Sequence, residues 1–482
     1  VILAAGAGVQ TGAEMTVTAG FMVPHPPLIV PEIGKGEERG IRETTEAYEK
    51  AAGEIAALKP ETIVVISPHT VMYADYFHVS PGKEAEGDFR QFRAGQVRFK
   101  AEYDEEFVRC LCRNADASDF PMGIMGEREK KLDHGVMVPL YFINKYLKEY
   151  RLVRIGLSGL SKADHYRAGM LIEKTANQLG RRTVVVASGD LSHRLKEDGP
   201  YGYREEGPAY DQRIMETMGK AAFGELLDYP ESLCEKAGEC GHRSFTMMAG
   251  CLDGKAVSTE KLSYQGPFGV GYGVCTFHVT GRDETRRFLE QYTLKQQQDM
   301  QARKKKEDCY VRLARKSLET FVRTGRKASL TPEEKETLPR EMTESRAGVF
   351  VSIHKDGMLR GCIGTIAPVA GCVAEEILRN AVSSGTEDPR FPPVEKEELD
   401  TLVYSVDVLG PPEPVSSPGE LDVKKYGVIV TKGRKRGLLL PDLEGVDTVE
   451  EQIAIARRKA GIGEEDTVTL ERFEVIRHGE KG

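Results

Sequence analysis

Three times in this chain a short, unbroken apolar run is followed at once by a turn carrying a histidine, and that recurrence limits the possible folds more than any other feature. Gly20 to Val23 leads into Pro24-His25-Pro26-Pro27, Thr62-Ile63-Val64-Val65-Ile66 into Ser67-Pro68-His69, and Thr183-Val184-Val185-Val186-Ala187 into Ser188-Gly189-Asp190-Leu191-Ser192-His193. Runs of this length and β-branched content belong to strands buried on both faces, as in parallel sheets covered by helices. Helix formers at helical spacing fill 36 to 57 and, after the run Leu152 to Leu157, Asp164 to Leu179. Strand, helix and strand in alternation predict an α/β domain with a mostly parallel central sheet and flanking helices. Ligands in such sheets gather beyond the carboxyl ends of the strands, so the three histidine loops are expected to share one crevice.

At 482 residues the chain exceeds one ordinary core, and two are expected. The glycine-rich stretch Gly266 to Gly273 reads as a loop, and Val274 to Val279 alternates like a strand with one buried face. The first domain is therefore placed at 15–280. Residues 281–307 are dominated by Arg, Lys, Glu and Gln, including Lys304-Lys305-Lys306, and read as a charged helical linker. An α+β domain follows at 308–477: a helix from Asp308 to Arg323, strands over Gly348 to Ile353 and Leu359 to Thr365 joined through Lys355-Asp356-Gly357, a helix over Val373 to Ser384, and strands over Leu402 to Leu409 and Gly427 to Thr431. Val1 to Glu14 is rich in Ala and Gly, and Met15 opens the first strand region, so Met15 is the expected start.

Composition narrows the partners. A net charge of -8 repels nucleic acid and anionic membrane on average, and neither is expected as a partner. No run of 18 apolar residues is present. The nine cysteines form no CxxC pair and no compact framework, which fits a reducing, cytoplasmic setting.

A divalent metal needs a few converging His and carboxylate side chains, and oxygen-activating iron(II) enzymes commonly use two His and one carboxylate. His25 and His69 are the leading candidates, since each follows a strand and each adjoins proline, which stiffens the backbone that must hold a ligand's geometry. For the carboxylate, Gly238-Glu239-Cys240-Gly241-His242 offers Glu239 first and Cys240 second; the bland alternative for Glu239 is an acidic residue at a helix N-terminus. His193 and His134 are candidates for acid and base work, because imidazole titrates near neutral pH. Asp190, three residues before His193, is expected to cap the following turn, with orientation of His193 as the alternative.

The ordered set Pro24-His25-Pro26-Pro27, Ser67-Pro68-His69, Asp133-His134-Gly135, Ser188 to His193 and Glu239-Cys240-Gly241 resembles that of the LigB-type class III extradiol dioxygenases over about residues 17 to 280. The resemblance implies non-haem Fe(II) held by His25, His69 and Glu239, His193 as acid/base, and His134 as a neighbour of substrate or oxygen. It implies a small aromatic diol and O2 as reactants and oxidative ring opening as the reaction. The sequence is also similar to the related MEMO proteins, whose third metal position resembles Cys240-Gly241; that likeness implies copper or another metal and redox chemistry without ring cleavage.

Leu359-Arg360-Gly361-Cys362-Ile363-Gly364-Thr365 with Asp388-Pro389-Arg390-Phe391-Pro392-Pro393 resembles the AMMECR family over about residues 308 to 477. Arg360, Cys362 and Arg390 are the candidates to line a site there, against a structural role for all three. The pairing of these two families resembles the AmmeMemoRadiSam arrangement and implies a radical SAM partner protein. No CxxxCxxC motif is present in this chain, so that chemistry would reside in the partner.

Overall fold

The computed structural model describes residues 15–126, 131–355, 357–443 and 445–479. The segment ahead of Met15 and Asp356 of the expected hairpin lie outside the described residues. The chain divides into two compact units, one extending to Lys295 and one beginning at Gln296, with the division falling inside the helix Phe288–Lys306.

The first unit is built on a six-stranded sheet of β1 (Val17–Val23), β2 (Thr62–Ser67), β3 (Arg151–Gly156), β4 (Thr183–Ser188), β5 (Lys255–Gln265) and β6 (Tyr272–Arg282), in the order β3-β2-β4-β1-β6-β5. The first four strands in that order run parallel, and β6 and β5 complete the sheet antiparallel. Every residue of β2 and β4 is buried, because alternate side chains enter two separate cores. Val184 and Val186 face the helices Arg42–Leu58 and His134–Tyr146, whereas Val185 and Ala187 face Lys162–Leu179 and His242–Cys251.

Register is what positions the site. Val23 pairs with Ser188 across β1 and β4, and Ile66 with Ala187 across β2 and β4, so three adjacent strands finish level at one edge of the sheet. The turns bearing His25, His69 and His193 leave from that edge side by side.

Local signals fix the helices around it. Asp133 accepts the N–H of Val136 and starts His134–Tyr146. Ser161 and Asp164 form a reciprocal capping box at the start of Lys162–Leu179, which ends on left-handed Gly180. The helix His242–Cys251 lies against Lys162–Leu179 at a glycine crossing, where a Cβ on Gly169 would stand 1.9 Å from the Met247 carbonyl oxygen and one on Gly250 2.0 Å from that of Tyr166. No larger residue fits while the helices keep this separation.

The second unit carries separate antiparallel sheets. One orders Met358–Gly364, Val349–Lys355, Val403–Leu409 and Val475–His478; the other orders Glu413–Val415, Thr469–Phe473, Gly427–Lys432 and Lys435–Leu439. The helices Cys309–Thr324 and Val373–Thr386 share a core with the first sheet, and Val449–Ala460 packs on the second. Among the described residues no helix is long and apolar enough to cross a membrane.

Because the glycine crossing seats the helix that follows the Cys240 turn, Gly169→Ala is expected to destabilise the protein by about 1–3 kcal/mol through overpacking. Urea unfolding followed by circular dichroism checks this; an unchanged midpoint would show that the helices can separate at little cost.

Candidate metal centre

His25 stands two residues beyond β1, held by two bonds to the end of β4 and the turn that follows it. Its backbone N–H donates to Asp190 Oδ1 at 2.8 Å, and its Nδ1 lies 2.9 Å from Ser188 Oγ. With Nδ1 engaged by the serine, Nε2 is the nitrogen left to face the crevice, an arrangement that fixes ring orientation in metal-binding histidines. His69 follows β2 through Ser67, whose Oγ accepts the His69 N–H at 3.2 Å and donates to Asp133 Oδ1 at 2.6 Å. Asp133 thus starts the His134 helix and ties it to the His69 turn.

These constraints bring the two imidazoles face to edge, with the Nε2 atoms of His25 and His69 2.9 Å apart and Cys240 Sγ 3.6 Å from His25 Nε2. One donor atom from each of His25, His69 and Cys240 lies within 4.8 Å of the other two. In a tetrahedral site with bonds of roughly 2.0–2.3 Å, neighbouring N and S donors stand roughly 3.3–3.6 Å apart, so the trio is spaced for one small ion. Two neutral imidazoles and a thiol form a donor set suited to a first-row transition metal of borderline or soft character.

Burial sets the protonation of these donors. Burial, reinforced by His69, His134 and His193, pushes His25 well below the ordinary imidazole range, and burial lowers His69 against the opposing pull of Asp133. Both rings are thereby kept neutral with free lone pairs. Burial, then Asp190 and Glu239, pushes the Cys240 thiol up, and burial raises Asp190 to about 7. Burial thus disfavours charge of either sign here, and it leaves the ring nitrogens unprotonated and able to act as ligands.

His134 and His193 border the trio. The His134 ring stacks on His69 with centroids 4.1 Å apart and meets Phe92 edge-on at 5.6 Å; burial, then His69, lowers it to about 4. His193 is lowered mainly by burial and further by His69, itself lowers His25, and has Tyr201 edge-on at 5.2 Å. Asp190, expected to cap a turn, instead holds the His25 backbone and offers its own N–H to Cys240 Sγ at 3.3 Å. Ser188 and Ser67 stand in the sequence motifs without an expected role, and Tyr201 stands in none of them. The serines' signal was their place at the last position of a buried strand, while Tyr201 lies in a polar loop that gave none.

Glu239 requires a correction. Its side chain is not among those that converge: Oε2 accepts the N–H of His242 at 2.6 Å, at the start of the helix His242–Cys251. The side chain that joins the two histidines is Cys240, the second choice. The reason is local, since an acceptor three residues ahead of an unpaired helical N–H is captured by it.

In the second unit Arg360 is also placed away from an open role. Its guanidinium pairs with both oxygens of Glu398 at 3.0 and 2.9 Å and donates to the carbonyls of Pro392 and Pro393. Arg390 pairs with Asp388, which accepts the Cys362 N–H at 2.9 Å, and Ser352 Oγ lies 3.2 Å from Cys362 Sγ. Arg390 and Cys362 are thus linked through Asp388, and Arg360 has the fixed structural pairing.

Comparison with known proteins finds a family for each unit. Residues 19–275 match the family described as the catalytic LigB subunit of aromatic ring-opening dioxygenase, and residues 311–478 match the AMMECR1 family. The chain is 43% identical to protein CA_C1420 of Clostridium acetobutylicum over 474 residues, which span 97% of this chain and 100% of that protein. A protein of Thermotoga maritima is 55% identical over 171 residues, 35% of this chain and 96% of its own length. The crystal structure of protein PH0010 from Pyrococcus horikoshii, 34% identical, covers 35% of this chain and 88% of that one with a TM-score of 0.32. The chain therefore belongs to the LigB family through its first unit and carries an AMMECR1 domain in its second.

Proposed function

We propose that the first unit is a metal-dependent oxidoreductase whose ion is held by His25 Nε2, His69 Nε2 and Cys240 Sγ, and which acts on a small aromatic diol with O2. The observation that carries this reading is the closure of those three donor atoms to within 4.8 Å of one another from three separate turns. When bound, Fe(II) would supply an orienting template for the diol and a path for electrons to O2.

The residues around the trio do the rest. Burial keeps His193 neutral, and its Nδ1 is enclosed, so Nε2 is the atom available to take a proton from a diol hydroxyl and later return it. His134, neutral for the same reason, can only accept or share a proton near neutral pH. Phe92 and Tyr201 border these two histidines with aromatic surface that favours a flat ring over a polar chain.

One observation favours a second reading. The side chain that completes the trio is a thiol and not the carboxylate of the two-histidine iron sites, and a thiolate favours softer metals such as copper. On that reading the protein is a MEMO-like redox protein that serves a modification system with a radical SAM partner and opens no ring.

Two experiments separate these. Anaerobically reconstituted Fe(II) protein is expected to consume O2 with a catechol and protocatechuate panel, and His193→Ala to lower turnover about 10²–10⁴-fold while keeping its iron. Metal retention with no O2 uptake by the parent protein would favour the redox reading.

Metal affinity has its own pH signature. With no ion bound, burial keeps the Cys240 proton on at pH 7 and keeps His25 and His69 neutral, so binding through the thiolate releases at least the thiol proton, with Asp190, raised to about 7 beside it, able to add to the release. A group protonated in the free state and deprotonated in the bound state makes affinity rise with pH. The apparent Kd is expected to fall about tenfold per pH unit between about pH 6 and 8, and the slope to flatten in Cys240→Ala. A parent slope near zero would remove the thiol from the donor set.

A further inference from the structure

We propose that Glu239 is a positioning residue: by accepting the first backbone N–H of the helix that begins at His242, it holds the 238–241 turn in the orientation that presents the Cys240 thiol to His25 and His69. The proposal rests on the metal reading above and adds which residue aims the third donor.

The turn is short and held from several sides. Gly238 ends the preceding helix, Glu231–Ala237, in the left-handed region at φ 65°, a conformation that side chains rarely adopt. Four residues later the next helix begins with an N–H that has no partner within the helix, and the Glu239 carboxylate accepts it at 2.6 Å. The His242 side chain anchors the far end, with Nε2 2.9 Å from the Leu226 carbonyl oxygen and Nδ1 3.3 Å from the Tyr210 hydroxyl. Between these anchors Cys240 exchanges two contacts with Asp190, its N–H reaching the Asp190 carbonyl and its Sγ receiving the Asp190 N–H, both at 3.3 Å. Gly189 and Gly241 touch backbone to backbone, since a Cβ on Gly189 would fall 2.1 Å from Gly241 Cα.

Neighbouring residues on this turn serve opposite sides of it. Glu239 lines a cavity of about 270 Å³ with Lys162, Cys234, His242 and Arg243, whereas Cys240 belongs to the histidine cluster. Turning Glu239 into the cluster would strip the His242 N–H of its acceptor in a buried setting, where an unpaired N–H is costly. It would also carry the thiol away from His25. The carboxylate and the thiol are therefore alternatives for the third position, and the helix start selects the thiol by engaging the carboxylate.

The test uses the full chain with Co(II) alone as probe, read by bound stoichiometry, Kd and the ultraviolet thiolate-to-cobalt charge-transfer band. Glu239→Gln keeps an oxygen acceptor for the His242 N–H and is expected to bind within about threefold of the parent with the band intact, while Glu239→Ala binds about tenfold or more weakly with a diminished band. Cys240→Ser is expected to lack the band. The rescue by glutamine separates positioning from general damage to the fold. A parent protein without the band, together with loss of cobalt in Glu239→Gln, would make the carboxylate the donor and overturn the proposal. Glu239→Ala binding as tightly as the parent with the same band would show that the turn needs no clamp. A parent that binds no cobalt at all would instead remove the metal reading, a distinct outcome from either.

Discussion

The site depends on the level finish of three adjacent parallel strands. Parallel pairing sets Val23 beside Ser188 and Ile66 beside Ala187, so the turns that follow emerge within reach of one another. A slip of one residue in either pairing would turn every buried side chain of that strand toward the other core, and both cores are closely filled. The packing that stabilises the sheet is thus the same constraint that holds His25 and His69 together. The chain does not have to stabilise the crevice separately, because a register error there would disrupt the sheet first.

On that edge the second level of control is carried by backbone groups and short polar side chains. Asp190 holds the His25 N–H, Ser188 holds its Nδ1, and Ser67 links the His69 turn to Asp133 at the start of the His134 helix. The His25 ring is fixed by a serine on a different strand, and the His69 turn is tied through Ser67 to the start of a helix, which limits the geometries the two can adopt. The cluster is buried enough to depress imidazole protonation and to raise carboxyl and thiol groups. A single positive ion relieves both effects at once, since it pairs with the lone pairs of neutral rings and stabilises a thiolate.

The second unit shows the same economy applied to structure. Arg360, in a stretch that draws the eye as a site motif, secures the strand Met358–Gly364 to Glu398 and to the carbonyls of Pro392 and Pro393. Gly361 permits that strand to lie against the helix Val373–Thr386, where a Cβ would stand 2.0 Å from the Ser384 carbonyl oxygen. Arg390 and Cys362 are joined through Asp388, whose carboxyl is held far below its usual range by Arg390. Motif residues here are explained first by backbone approach and ion pairing.

The alternation of apolar runs with helical patterns determined the α/β class, the mostly parallel sheet and the loop placement of His25, His69 and His193, because strand burial and strand ends are properties of local sequence. The Asp133-His134-Gly135 motif was legible in the sequence as well. The gathering of His134 against His69, the use of Asp190 to hold His25, and the approach of Tyr201 to His193 were not, since each joins segments far apart in the chain. The choice between Glu239 and Cys240 shows the division most clearly. Adjacent residues share a sequence environment, and chemistry alone put the carboxylate first. Only the folded turn decides that the carboxylate is engaged by the His242 N–H and that the thiol faces the histidines, because side-chain direction depends on what the backbone on either side is bonded to.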